Sequence, residues 1–170
     1  TNGCETDTRV TVAHCGGCGL TCAPANAAPV CTSGLCGIGT CNAGYFFDGR
    51  SCAAIPAPRP VSPLSVAQST TLRPTFRWVN ASGIADARIQ LCAARSCAVV
   101  SQSADVTGSA WIPPANLAPG VWYWRLAGRV GSNVGFTWSP VWEVVVPRVG
   151  TTGRAGSFGT FNDVNGDGYM

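Results

Sequence analysis

Eight cysteines within the first 52 residues constrain what this chain can fold into more than any other feature. They are Cys4, Cys15, Cys18, Cys22, Cys31, Cys36, Cys41 and Cys52. The segment around them is rich in Gly and Ala and poor in large apolar side chains, so burial alone cannot hold it together. Cysteine at this density marks a disulfide scaffold. The remaining two cysteines, Cys92 and Cys97, also form an even set. Disulfides persist outside the reducing cytosol, so a secreted or cell-surface location is expected. Eight cysteines admit about a hundred pairings, and spacing does not choose among them.

The rest of the composition narrows the function. The 11 basic residues are all arginine and face 8 acidic ones, a net charge of +3 over 170 residues. The sequence has no basic run that could track phosphates, so nucleic acid is not an expected partner. No apolar stretch approaches the roughly 20 residues that a membrane helix needs, and membrane insertion is not expected. The opening at Thr1, with no apolar leader, is expected of a processed secreted chain.

Composition changes along the chain at three places. Residues 1–54 are Cys- and Gly-rich. Residues 55–60 read Ile-Pro-Ala-Pro-Arg-Pro, which predicts an extended, semi-rigid linker. Residues 61–148 carry all six tryptophans. Residues 149–170 are rich in Gly and Thr, with no apolar period, and predict an extended tail. Helix periodicity is nearly absent, whereas two-residue alternation recurs. It places Leu72, Pro74, Phe76 and Trp78 on one face of a strand, and likewise Ala87, Ile89 and Leu91, then Trp122, Trp124 and Leu126, then Trp142, Val144 and Val146. The expected fold class is therefore all-β, a small disulfide-rich domain followed by a β-sandwich.

The run Leu117-Ala-Pro-Gly-Val-Trp-Tyr-Trp-Arg-Leu126 resembles strand F of a fibronectin type III domain and the corner before it. Thr137-Trp-Ser-Pro-Val-Trp142 resembles that family's entry into its last strand, and Pro74 to Trp78 its second strand with the core Trp. The resemblance covers residues 61–148 and implies a seven-stranded sandwich used as a spacer or binding module. The corner position of strand F falls on Tyr123 by counting from Leu117, and on Trp122 by face alternation. Cys92 and Cys97 lie outside the family pattern, and their spacing suits a staple across a hairpin between adjacent strands. In the head, Cys41-Asn-Ala-Gly-Tyr-Phe-Phe-Asp-Gly-Arg-Ser-Cys52 resembles the closing hairpin of an EGF-like module, which implies that Cys41 pairs with Cys52. The stretch Val12 to Cys22 is similar to Cys-rich modules of secreted bacterial surface proteins.

The head also holds residue types capable of sharper chemistry. His14, Cys15, Cys18 and Cys22 include zinc-type ligands, but structural zinc favours two well-separated ligand pairs. Cys15-Gly-Gly-Cys18 lacks the following helix that would lower a redox thiol's pKa. His14 is the sole histidine, it precedes rather than follows the Cys-x-x-Cys pair, and no nucleophile elbow is present. No catalytic residue is therefore assigned, and the chain is read as non-enzymatic.

The tail holds the one metal motif. Asp163-Val-Asn165-Gly-Asp167-Gly-Tyr169 matches the opening of a calcium loop, with side-chain oxygens from Asp163, Asn165 and Asp167 and the backbone carbonyl of Tyr169. With Ser157 to Phe161 before it, the segment resembles the start of an FG-GAP repeat, the calcium-binding unit of integrin-like propellers. The family closes its loop with an acidic residue that would fall beyond Met170, so the expected calcium site is incomplete and the parent protein is expected to continue. Asn80-Ala-Ser82 is an N-glycosylation triplet read as inactive.

The expected function is a non-enzymatic extracellular structural or adhesion protein, or a fragment of a larger modular surface protein. One alternative is a subunit of an extracellular fibre, with the tail docking on a protein partner or a second copy. The other is a carbohydrate-binding accessory module, with Tyr123 and Trp138 as a platform for a glycan. All ten cysteines are expected to be oxidised, with no bridge between residues 1–52 and the Cys92–Cys97 pair. Disulfide mapping of the unreduced protein checks this, and a bridge across that boundary would refute it.

Overall fold

The computed structural model describes residues 5–148. The described chain is all-β, apart from one turn of 3-10 helix at Val12–His14. Gly and Pro leave room for little else.

The head consists of two small hairpins. β1 (Ala27–Thr32) pairs antiparallel with β2 (Leu35–Cys41), and β3 (Tyr45–Phe47) pairs with β4 (Cys52–Ala54). Ser33 and Gly34 both have positive φ, 53° and 80°, the backbone that a two-residue hairpin turn requires. Asp48 shapes the second turn by accepting from the backbone N–H groups of Arg50 and Ser51, each at 2.8 Å. These bonds, that from Ser51 foremost, hold its carboxyl below the ordinary carboxylate value.

Disulfides join Cys15 to Cys31, Cys22 to Cys36 and Cys41 to Cys52. The last is the pairing that the EGF-like hairpin implied. Cys18 is disulfide-bonded as well, and Cys4 lies outside the described residues. The fourth described disulfide joins Cys92 to Cys97. None of the four crosses from head to sandwich.

Two sheets build the sandwich. One has three strands in the order β10 (Ala110–Trp111), β7 (Phe76–Val79) and β5 (Arg59–Ser62). The other runs β6 (Ala67–Gln68), β13 (Trp142–Val146), β11 (Gly120–Val130), β8 (Asp86–Cys92) and β9 (Val100–Thr107). Its sixth strand, β12 (Asn133–Trp138), pairs with the far half of β11, whose near half pairs with β13. Pro140 breaks the last strand between β12 and β13, and Ser139 spans the gap. Its backbone N–H donates to the Leu126 carbonyl, and its hydroxyl accepts from the Leu126 N–H.

The core lies between the sheets. Phe76 and Trp78 face Ala87, Ile89, Leu91, Trp124, Leu126, Val144 and Val146. Trp124 is fully buried and meets Phe76 and Trp142 edge-on at ring-centroid distances of 5.1 and 5.7 Å, the geometry that ring quadrupoles favour. Three of the four expected strand faces thus form as the alternation predicts.

The fourth is shorter than expected, because only Phe76 to Val79 joins a ladder. Upstream, Ser69 and Thr71 bond locally to the backbone. Thr71 N–H donates to the Ser69 hydroxyl, and Arg73 N–H donates to the Thr71 hydroxyl. Local hydroxyl bonds compete with strand pairing, and Pro74 has no N–H to offer a ladder.

The Cys92–Cys97 staple also differs from expectation. Cys92 ends β8 opposite Val100, while Cys97 lies in the connecting loop at a φ of 48°. The bond closes that loop instead of crossing between two strands.

Residues 55–60 are not a free spacer. Arg59 and Pro60 already belong to β5, and Ile55 is 1% exposed. The backbone of this segment runs against two glycines of the β11–β12 hairpin. A Cβ on Gly128 would stand 2.2 Å from the Pro56 carbonyl oxygen, and one on Gly135 would stand 2.4 Å from that of Ile55. Proline stiffness keeps the segment extended, and the missing side chains let it lie flat on the sandwich. Replacing Gly128 by Ala forces these backbones apart and is expected to destabilise the protein by about 2 kcal/mol, within the usual range for overpacking. Urea unfolding measures this, and an unchanged midpoint would show that the contact is loose.

Candidate functional site

The outer face of the six-stranded sheet carries the two aromatic side chains, Tyr123 and Trp138, that the sequence offers as a sugar platform. Alternation on β11 turns Trp122, Trp124 and Leu126 inward, and Tyr123 and Arg125 outward. The Trp122 indole N–H donates to the Ala118 carbonyl at 2.8 Å, so Trp122 ties the strand back to the loop before it. Tyr123 is left on the outer face.

Both aromatic rings read as a sugar platform carry a guanidinium. Arg95, in the loop closed by Cys92 and Cys97, lies over Tyr123 with its Cζ 5.5 Å from the ring centroid and forms an ion pair with Glu143. Arg125 lies over Trp138 at 4.3 Å. Its Nε donates to the Gln90 side-chain carbonyl at 3.0 Å, and a terminal nitrogen reaches the Cys97 carbonyl. Tyr123, Arg125 and Trp138 thus form a row across β11 and β12, with both rings half-buried beneath cations. A sugar ring would have to displace both guanidinium groups to stack.

Further along this face the acids are neutralised by arginines. Arg88 forks onto Asp105 at 2.6 and 2.8 Å, and Arg129 reaches Asp86 at 3.3 Å. The bond from Arg88 holds the Asp105 carboxyl below its ordinary value against the opposing effect of burial, and the same bond raises Arg88. The folded-state value of Asp105 is depressed, so this stabilisation is present at neutral pH and lost as the pH falls through that value. Both groups are more than a third exposed, which keeps the contribution small.

Among its described residues the head shows no open ligand set. Cys15, Cys18 and Cys22 are held in disulfides, and the His14 Nδ1 accepts from the Gly19 N–H at 2.9 Å. His14 therefore closes a turn. Among the described residues no group of three or more His, Cys, Asp or Glu is placed to hold a metal ion. The calcium motif at Asp163, Asn165, Asp167 and Tyr169 lies outside the described residues, as does the tail that the fibre alternative depends on.

Asn80 has a structural part that sequence reasoning missed. Its side-chain oxygen accepts from the Trp78 indole N–H at 2.8 Å, and its amide nitrogen donates to the carbonyls of Ala85 and Gly108 at 2.9 and 3.0 Å. It ties the core tryptophan to the turns before β8 and before β10. The only hint in the sequence is an Asn placed between a core Trp and a Gly-containing turn.

Comparison with known proteins gives no matching family model and no similar curated protein.

Asn80→Asp removes both donors and sets a carboxylate against two carbonyls, so it is expected to cost about 2 to 3 kcal/mol. Ser82→Ala removes the triplet without touching these bonds and is expected to stay within about 0.5 kcal/mol of the parent. Urea midpoints of the two variants separate the structural part of Asn80 from any part as a glycan acceptor.

Proposed function

We propose that this chain is a non-enzymatic structural or adhesion element of a larger secreted or cell-surface protein, in which the Cys-rich head and a fibronectin type III-like sandwich form one stiff spacer. The junction between them carries this reading. The β3–β4 hairpin does not hang from a tether. It lies against the β11–β12 hairpin, where Asn133 donates to the Tyr45 carbonyl at 3.1 Å and the Tyr45 and Phe136 rings meet edge-on at 6.4 Å. A Cβ on Gly44 would stand 2.3 Å from the Phe136 ring, and Gly128 and Gly135 accept the backbone of residues 55–56. Ile55 fills the junction, and its N–H donates to the Gly44 carbonyl at 2.9 Å. A spacer that transmits position needs such a fixed joint, whereas a mobile tether would leave these groups in water.

Oxidised cysteines point to an oxidising environment, and secretion or surface display is the setting in which such a spacer would act. The three-stranded sheet facing a larger sheet, with Trp78 and Trp124 between them, supports the fibronectin type III-like reading of residues 61–148. The cations over Tyr123 and Trp138 favour the spacer over a sugar-stacking platform at those two rings.

Backbone 15N relaxation on the whole chain tests the proposal. A single rotational correlation time is expected for residues 5–54 and 61–148. Separate correlation times for head and sandwich would show a flexible tether and overturn the stiff-spacer reading.

A further inference from the structure

The two faces of the sandwich differ in charge in a way the sequence does not display. Between residues 55 and 148 there are three acidic residues, Asp86, Asp105 and Glu143. All three belong to strands of the six-stranded sheet, and each is ion-paired there, with Arg129, Arg88 and Arg95. The outer face of the three-stranded sheet therefore has no carboxylate of its own.

That face carries Arg59 and Val61 on β5 and Arg77 and Val79 on β7, all exposed, because Pro60, Phe76 and Trp78 turn inward. Register sets Arg59 opposite Val79, and Arg77 opposite both Ser62 and Ala110. The two arginines are thus diagonal neighbours on adjacent strands, about 7 to 8 Å apart at their Cα atoms. At one end the face is bordered by Arg73, which is exposed and anchored by donating to the Pro113 carbonyl at 2.8 Å. Neither Arg59 nor Arg77 forms an ion pair among the described residues.

We propose that this face is a docking surface for an anionic polysaccharide bearing carboxylate or sulfate groups. Charge complementarity carries the choice of a polyanion. Arginine's planar fork matches both kinds of oxyanion, and two such forks with a third at the border match a chain with repeated charge. An acidic peptide added as a strand is disfavoured, because Pro58, Pro60 and Pro63 guard the β5 edge and β10 is only two residues long before Pro113 and Pro114. Single-stranded nucleic acid is disfavoured because the outward positions of β5, β7 and β10 supply no ring on which a base could stack. The partner lies across a face of Arg, Val and Ala and needs no cleft. The inference does not depend on the stiff junction, since a freely hinged sandwich would present the same face.

Isothermal titration of the full chain with polygalacturonate and with dextran sulfate, at low and at physiological salt, tests it. Both probes are expected to bind at low salt, with affinity falling as salt rises, and neutral dextran of equal length is expected not to bind. Arg59→Gln combined with Arg77→Gln is expected to weaken binding about tenfold or more, since each arginine would make a charge-assisted contact. Val79→Glu, which sets a carboxylate opposite Arg59, is expected to have a similar effect without removing an arginine. Arg50→Gln in the head is expected to change affinity less than about twofold, as an exposed charge away from the face should. Absence of binding to both probes overturns the proposal. So does binding unchanged in both face variants, or binding to poly-glutamate without binding to either polysaccharide.

Discussion

The head has too little apolar surface to hold itself together, and much of the rest of the structure answers that shortage. Apart from Cys15, Cys22 and Cys52, its described residues before Ile55 are nearly all half-buried or exposed. Three described disulfides close loops of 11 to 16 residues. Each such closure removes conformations of the unfolded chain worth about 3 kcal/mol in the chain-entropy account. The remaining support is docking. Ile55, Tyr45 and Phe136 join the second hairpin to the sandwich, so the head borrows from its neighbour a boundary it cannot build alone. The same docking contacts are the ones on which the proposed spacer role rests.

The sandwich supplies what the head lacks. Phe76, Trp78, Trp124 and Leu126 fill the space between the sheets, and Trp122 and Asn80 use side-chain hydrogen bonds to fasten loops to strands. With its core filled, the sandwich can devote its outer faces to other purposes. On the six-stranded face, guanidinium groups cover aromatic rings, and each carboxylate meets an arginine. On the three-stranded face, arginines stand beside valines and meet no carboxylate. The contrast between a face whose carboxylates are all ion-paired and one whose arginines meet none is the physical basis for placing an anionic partner on the latter.

Much of this architecture was legible in the residues. Alternation over Ala87–Leu91, Trp122–Leu126 and Trp142–Val146 identified three strands with the correct inward face, because a half-buried strand leaves a period of two. The same pattern over Leu72–Trp78 overstated a strand, since alternation does not register the hydroxyls of Ser69 and Thr71 that bond the backbone first. The proline run at 55–60 predicts a linker because proline stiffness is local and visible in the sequence. Its seat on Gly128 and Gly135 depends on glycines more than 70 positions away, whose absent side chains are informative only once the backbones meet. Tyr123 and Trp138 offer themselves in the sequence as an exposed platform, but they are half-buried beneath arginines that arrive from a disulfide-closed loop and from β11.

The sequence by itself determined the class of the protein. Cysteine density required oxidation, two-residue alternation required strands, and Gly and Pro excluded long helices. These are one-dimensional signals, since each acts through composition or near neighbours. Tertiary structure alone decided the joint between head and sandwich, the hydrogen bonding of Asn80 and the division of charge between the two faces. Each of these depends on groups distant in sequence coming within a few ångströms, and on which carboxylate each arginine meets when the sheets close.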